Sequence, residues 1–417
     1  MEFRITIDSE EFKEHTRIRV NYSHTIFSFP CFHIPNHPLL FEKDIKAQPL
    51  DCFECKPGKA FFKTPFGDHP FDIFAASFYL LSRYEEYLPH EKDSYGRYAH
   101  ENSIAFKEGF LNLPLINIWV RDLSEALKEK YSTTNLQPQT FNLQPPTLTF
   151  QPTYDIDIAY SYKHKGLFRN IGGFLKSPSF ERIKVLLGAK IDPFDSYSGL
   201  DNLHKKYQLK PIFFFLLAEN KGKYDRNISP HKEAIWQLVK TLSKNYTVGL
   251  HPSWQSGDDP ALLKKEKEQL EAMTVTGQAG RTGLTGNASR QHYIRFNLPG
   301  TYRQLINAGI TDDYSMGYGS INGFRASVAS TFYWFDLEKD EQTALGIHPF
   351  CFMDANSWYE QHDSPEKAFE ELMHYLHSCK TCGGTLITIW HNNFLGSSRE
   401  FKGWSEIYEN FIAQVQQ

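Results

Sequence analysis

From residue 148 to residue 417, short apolar segments alternate with helical ones, and this alternation admits few folds. Strand candidates are 148–154, 211–217, 247–250, 291–296 and 385–390. Helices are expected between them at 201–207, 231–242, 260–273, 299–308 and 365–377. Strands joined by helices lie parallel, in an open sheet or a closed barrel, and chemistry collects at their carboxyl ends.

Upstream, residues 132–152 (STTNLQPQTFNLQPPTLTFQP) are nearly free of charge and rich in Thr, Gln, Asn and Pro. Proline imposes extended neighbours, and little here is apolar enough to bury, so the stretch is expected to link two domains, 1–145 and 146–417. In the first, 72–88 has helical spacing with Asp72 as N-cap, a second helix should start after Pro114, and FRITI at residues 3–7 alternates like a strand.

The composition excludes several classes of function. A net charge of −4 leaves no positive field for nucleic acid. The longest apolar run, 212–218, is too short to span a bilayer. The start, MEFRITIDSEEFKEH, lacks the pattern of a secretory signal, so a cytoplasmic protein is expected. Six cysteines include two C-x-x-C pairs, Cys52/Cys55 and Cys379/Cys382, at opposite ends of the chain; reduced thiols are expected rather than a zinc knuckle.

Five polar groups fall where strands end. Asp155 and Asp157 follow the first strand in TYDID; two close carboxylates need a cation or a shared proton, although Asp is also ordinary in turns. His251 closes VGLH, as a metal ligand or a satisfied core histidine. Arg290 and His292, two apart, would share a strand face, with Arg290 able to hold a carboxylate ionised; the alternative is a surface strand. Arg325, after Asp312-Asp313-Tyr314-Ser315, is a loop arginine able to bind substrate or simply face water. His391 ends LITIWH and suits acid–base work.

Taken in that order, these groups resemble the polysaccharide deacetylase superfamily (NodB homology, carbohydrate esterase family 4-like) over residues 148–415. Residues 71–98 look like an uncharacterised domain that precedes such modules in some bacterial proteins. The resemblance implies a distorted, seven-stranded (β/α) barrel after a smaller N-terminal α/β domain. It implies Asp155 as base, Asp157 and His251 as ligands of a divalent metal, most simply Zn2+, Arg290 (with Arg325 as rival) orienting the base, and His391 as acid. The family's second motif is usually H-x-x-x-H, but here Gln255 stands at the second histidine. His292 is one candidate replacement; Gln255, Ser256 or water are the others. The implied activity is hydrolysis of the N-acetyl group of a sugar or polysaccharide, with Tyr154, Trp254, Tyr314 and Trp390 as stacking faces and Arg325 and Asp313 as further substrate contacts. The rivals are an amidohydrolase of non-sugar amides and a degenerate glycan-binding module without turnover.

Overall fold

The computed structural model describes residues 4–132, 147–176, 178–220, 222–274 and 285–417. Most of the expected linker, the boundary at 145 and Phe3 of the expected first strand lie outside them.

The N-terminal part carries α1 (Ser9–Glu14), β1 (Val20–Asn21) parallel to β2 (Phe32–His33), the hairpin β3 (Phe53–Cys55) with β4 (Gly58–Ala60), then α2 (Ile73–Leu81), α3 (Ile104–Lys107) and α4 (Leu115–Ser132). Asp72 caps α2 as expected, accepting from the amides of Phe74 and Ala75. The helix expected over 72–88 breaks at Arg83, whose φ of 54° no helix tolerates. The expected strand at residues 3–7 is corrected: residues 4–7 pair with nothing in a ladder, and Ile5 and Ile7 are exposed, so the alternation there has no face to bury.

Nine strands form the main sheet: β5 (Leu148–Ile156), β6 (Ile212–Leu216), β7 (Thr247–His251), β8 (Ala288–Ser289), β9 (Asp312–Asp313), β10 (Phe332–Asp336), β11 (Glu341–Ile347), β12 (Phe352–Met353) and β13 (Gly384–His391). Their order is β10-β11-β9-β8-β7-β6-β5-β13-β12, all parallel except β10 against β11. Along the chain lie α5 (Leu167–Lys176), α6 (Phe180–Leu186), α7 (Tyr197–Tyr207), α8 (Glu233–Leu242), α9 (Pro260–Met273), α10 (Gly300–Asn307), α11 (Pro365–Cys382) and α12 (Trp404–Val415). Every residue of β6, IFFFL, is buried, the signature of a parallel strand covered on both faces. Gly249 of β7 is forced by the same packing: a Cβ there would lie 2.6 Å from the Phe214 ring.

This sheet cannot be flat. β11 and β12 stand seven strand spacings apart in the order, which is roughly 33 Å in a flat sheet. Yet Ile347 and Phe352 are five residues apart and span at most about 17 Å. The sheet must therefore curl until β11 and β12 approach. Among the described residues no ladder joins them.

The strand expected at 291–296 is also corrected. Pairing stops at Ser289, and 292–294 form a tight turn with positive φ at Tyr293 and Ile294. All six cysteines are free. No helix of the described residues is long and apolar enough to cross a membrane.

The two parts of the chain share one apolar core, clamped by buried ions. Glu86 accepts from Arg83 Nε at 2.7 Å and from Arg325 Nε and Nη2 at 2.8 and 2.7 Å. Arg83 also reaches Glu85 at 2.8 Å and the carbonyl of Arg325. Burial alone would raise the Glu86 carboxyl, but Arg325 and then Arg83 outweigh it and hold it at about 2. A carboxyl depressed in the folded state stabilises fully above its ordinary 4.5, and that contribution is lost as pH falls toward about 2. Glu86→Gln leaves two buried guanidiniums short of charge and should cost about 3–5 kcal/mol at pH 7. In urea unfolding, the gap from wild type should narrow as pH drops below 4.5. A constant gap would place the loss in packing rather than charge.

Candidate metal centre

The carboxyl ends of the parallel strands converge on Asp157. It stands one residue past the end of β5, with its side chain 29% exposed. His251 at the end of β7 brings Nε2 to 3.1 Å from Asp157 Oδ1. His292, in the turn after β8, brings Nε2 to 3.5 Å from Oδ2. His391, at the end of β13, brings Nε2 to 3.6 Å from the same oxygen.

The outer nitrogens fix how these rings are used. His251 Nδ1 donates to the carbonyl of Arg290, which can only accept. The His251 Nε2 that faces Asp157 is then a lone pair in the neutral ring. His292 Nδ1 lies 3.0 Å from Asp225 Oδ1, the carboxylate–imidazole pairing that orients metal-binding histidines. The ligand atoms of Asp157, His251 and His292 all lie within 4.8 Å of one another, a spacing suited to one ion. Asp157 Oδ1 is buried and accepts no hydrogen bond even with His251 beside it. An orphaned anionic oxygen facing imidazole nitrogens is compensated by protons on those rings or by a cation between them, and one carboxylate with two histidines fits zinc. Burial opposes charge on Asp157, but His292, His251 and His391 outweigh it and hold the carboxyl well below its ordinary range. His292 is in turn pushed up to about 9, Asp157 and Asp225 more than offsetting its burial.

Asp155 sits on the flank of this group, buried, with Oδ1 accepting from Arg290 Nη1 at 2.8 Å. The same Nη1 meets Thr153 Oγ1 at 2.8 Å, and Nε holds the carbonyl of Tyr314 at 3.0 Å. Oδ2 of Asp155 points inward, 3.9 Å from His251 Nε2. On the opposite flank, Asp354, just past β12, accepts from His391 twice: from the backbone amide at 2.7 Å and from Nδ1 at 2.6 Å. Burial would lower the His391 imidazole, but Asp354, with Asp157 and Asp155, raises it to about 10.

The remaining sequence candidates divide. Trp254 lies at the rim, stacked on Tyr224 at 3.9 Å. Tyr95 from the N-terminal part and Tyr293 complete an aromatic cluster there, their rings 5.3 Å apart, and Tyr293 packs on His292 at 4.6 Å. Asp225 ties this rim to the centre, since it also accepts from the Trp254 amide at 3.0 Å. Elsewhere the structure gives a different neighbourhood from the one expected. Tyr154 is fully buried, its hydroxyl between His204 and Tyr408, and Trp390 is buried against Tyr408. Tyr314 stacks on His348, Asp313 is held by Ser289 and Ser315, and Arg325 is committed to Glu86 and the Gly317 carbonyl. Gln255 turns its amide toward the Asn220 carbonyl, outside the ligand group. Asp225, Asp354, Thr153 and Tyr95 were not anticipated. Asp354 carried the signal that marks the others, an acid directly after an apolar run.

A family of unknown function (DUF7033) matches residues 1–169, a span that includes Asp155 and Asp157. No curated protein matches the chain. Among solved structures, the chain is similar to a protein described as a polysaccharide deacetylase from Mycobacterium smegmatis, at 15% identity and a TM-score of 0.41, over 66% of this chain and 85% of that one. It is similar to Puue allantoinase at 9% identity and a TM-score of 0.39, over 69% of this chain and 89% of that one. Likeness at this level bears on neither chemistry nor substrate.

The geometry sets an order of metal affinities, measurable by zinc titration. Asp157→Asn and His292→Ala should each abolish stoichiometric binding. Asp225→Asn should weaken it roughly 10- to 100-fold. Gln255→His should leave it unchanged; a sharp gain would mean that residue 255 faces the ion.

Proposed function

We propose that this protein is a metal-dependent deacetylase that hydrolyses the N-acetyl group of a sugar or polysaccharide. The observation that carries the reading is the arrangement around Asp157: three ligand-type groups with a carboxylate paired to an arginine on one flank and an imidazole paired to a carboxylate on the other. Asp157, His251 and His292 would hold the metal, zinc by donor set. Such an ion supplies Lewis acidity toward an amide carbonyl and acidifies water. The curled parallel sheet with its open seam suits the distorted barrel expected from the sequence.

The chain's own groups account for the proton traffic. Arg290 holds Asp155 in place through Oδ1, while Oδ2, free of that contact, accepts the proton of the attacking water. His391 carries its proton on the side facing Asp157 and delivers it from Nε2 to the departing amine. Asp354 fixes the ring and stabilises the imidazolium that makes this donation possible. Free amine and acetate leave. Tyr95, Trp254 and Tyr293 offer apolar faces beside His292, which suit the C–H face of a pyranose better than a small, fully polar amide. The glycan-binding reading without turnover depended on a missing third ligand, and His292 stands close enough to serve as one.

Acetate release from N-acetylated sugars of increasing length tests the proposal. Asp155→Asn should abolish release with metal retained. His391→Ala should lower kcat roughly 10²- to 10⁴-fold. Tyr95→Ala should raise KM several-fold and leave kcat nearly intact. Release from simple amides but from no sugar would favour the non-sugar amidohydrolase instead.

A further inference from the structure

Between Asp157 and α7 the chain leaves the sheet for a helical excursion, α5 and α6, that packs on little. α5 buries only Asn170 and α6 only Val185. Among the described residues, nine of the twenty large apolar side chains left exposed fall within 167–191, so the apolar surface is concentrated rather than scattered. Phe168 is 91% exposed, Phe180 84% and Leu187 79%. The same stretch is strongly basic. Residues 163–191 hold seven Lys and Arg against one acid, Glu181, a net +6 in a chain of net −4.

The excursion is anchored at the mouth of the metal centre. Asp192 accepts from the amides of Ser161, Tyr162, Lys163 and Phe194 at 2.7 to 3.0 Å, which fastens the two roots together. Asn392, next to His391, donates to the carbonyls of Ile158 and Phe194 at 3.1 and 2.8 Å. The helices thus project from a fixed base beside the site.

We infer that α5 and α6 dock this protein on the surface of an anionic phospholipid bilayer. Short amphipathic helices with an exposed Phe/Leu face bordered by lysine and arginine lie in the headgroup plane, held by apolar insertion and by attraction to anionic lipid. A second copy of the chain is a poor occupant, because a two-fold pairing would set +6 against +6. Docking of this kind brings the site beside His391 to the bilayer, so an N-acetyl sugar carried on a lipid or held at the membrane would be met in place. That last step alone rests on the deacetylase reading.

Cosedimentation of the full chain with vesicles tests the docking, using phosphatidylcholine alone and a 3:1 mixture with phosphatidylglycerol. Binding is expected to the mixture only, and to weaken with salt. Phe168→Ser/Phe180→Ser/Leu187→Ser should abolish it. Lys176→Glu/Lys184→Glu should weaken it at least roughly 25-fold, about fivefold for each lysine removed. Zinc binding, the circular dichroism spectrum and acetate release from a soluble substrate should be unchanged in both variants, which separates a failure of docking from a failure of the site. No sedimentation with the anionic vesicles, or equal binding by the triple variant, overturns the inference. A dimer in ultracentrifugation that the triple variant dissociates, without lipid binding, overturns it in favour of a self-interface.

Discussion

The electrostatic demand of one carboxylate organises this structure. Asp157 faces three imidazole nitrogens, and one of its oxygens is buried without a hydrogen bond. An anion in that position must be compensated by protons or by a cation. What surrounds it decides where positive charge can sit. The Arg290 carbonyl holds His251 by Nδ1, Asp225 holds His292, and Asp354 holds His391. Each imidazole is thereby turned Nε2-inward, and the three are not equivalent. His251 and His292 have the spacing of ligands with Asp157 and His391 stands outside that group, while His292 and His391 are each paired with a buried carboxylate that favours the charged ring. The parallel register makes the convergence possible, because β5, β7 and β13 end on one side of the sheet with His391 opposite Asp155.

The N-terminal part belongs to this arrangement rather than being appended to it. Glu86 binds Arg325 and Arg83 in a buried cluster that fixes one part against the other. Arg97 then reaches the Tyr293 carbonyl at 2.7 Å and lies against Tyr95, which carries that ring to the rim beside His292. Removal of residues 1–145 would therefore expose a core and take Tyr95 from beside Tyr293.

Much of the site was legible because it sits where long strands stop. His251 and His391 close the strands VGLH and LITIWH, and Asp155 and Asp157 stand at the end of the strand that leaves the Pro-rich stretch. His292 arrives near Asp157 as expected but by another route: strand alternation was the warrant, and a left-handed turn at Tyr293 does the work. β8, β9 and β12 are two residues each, too short for any periodicity, so Asp354, just past β12, was marked only by the apolar run before it. Tyr154 and Trp390 illustrate an available signal left unused. Each precedes a site residue by one position in a strand, so alternation sends it to the opposite face, toward α12. Arg325 and Tyr95 depend on contacts between distant parts of the chain, which no local pattern encodes.

The central claim is that Asp157, His251 and His292 form a metal centre with Asp155 beside it. Anomalous diffraction at the zinc edge, from crystals grown with zinc, addresses it directly. The account predicts one strong peak bounded by an Asp157 oxygen and the Nε2 atoms of His251 and His292, each at about 2.0–2.2 Å, with Asp155 outside the shell. No peak there, a peak at the cysteines, or a peak that takes Asp155 as a ligand would contradict it.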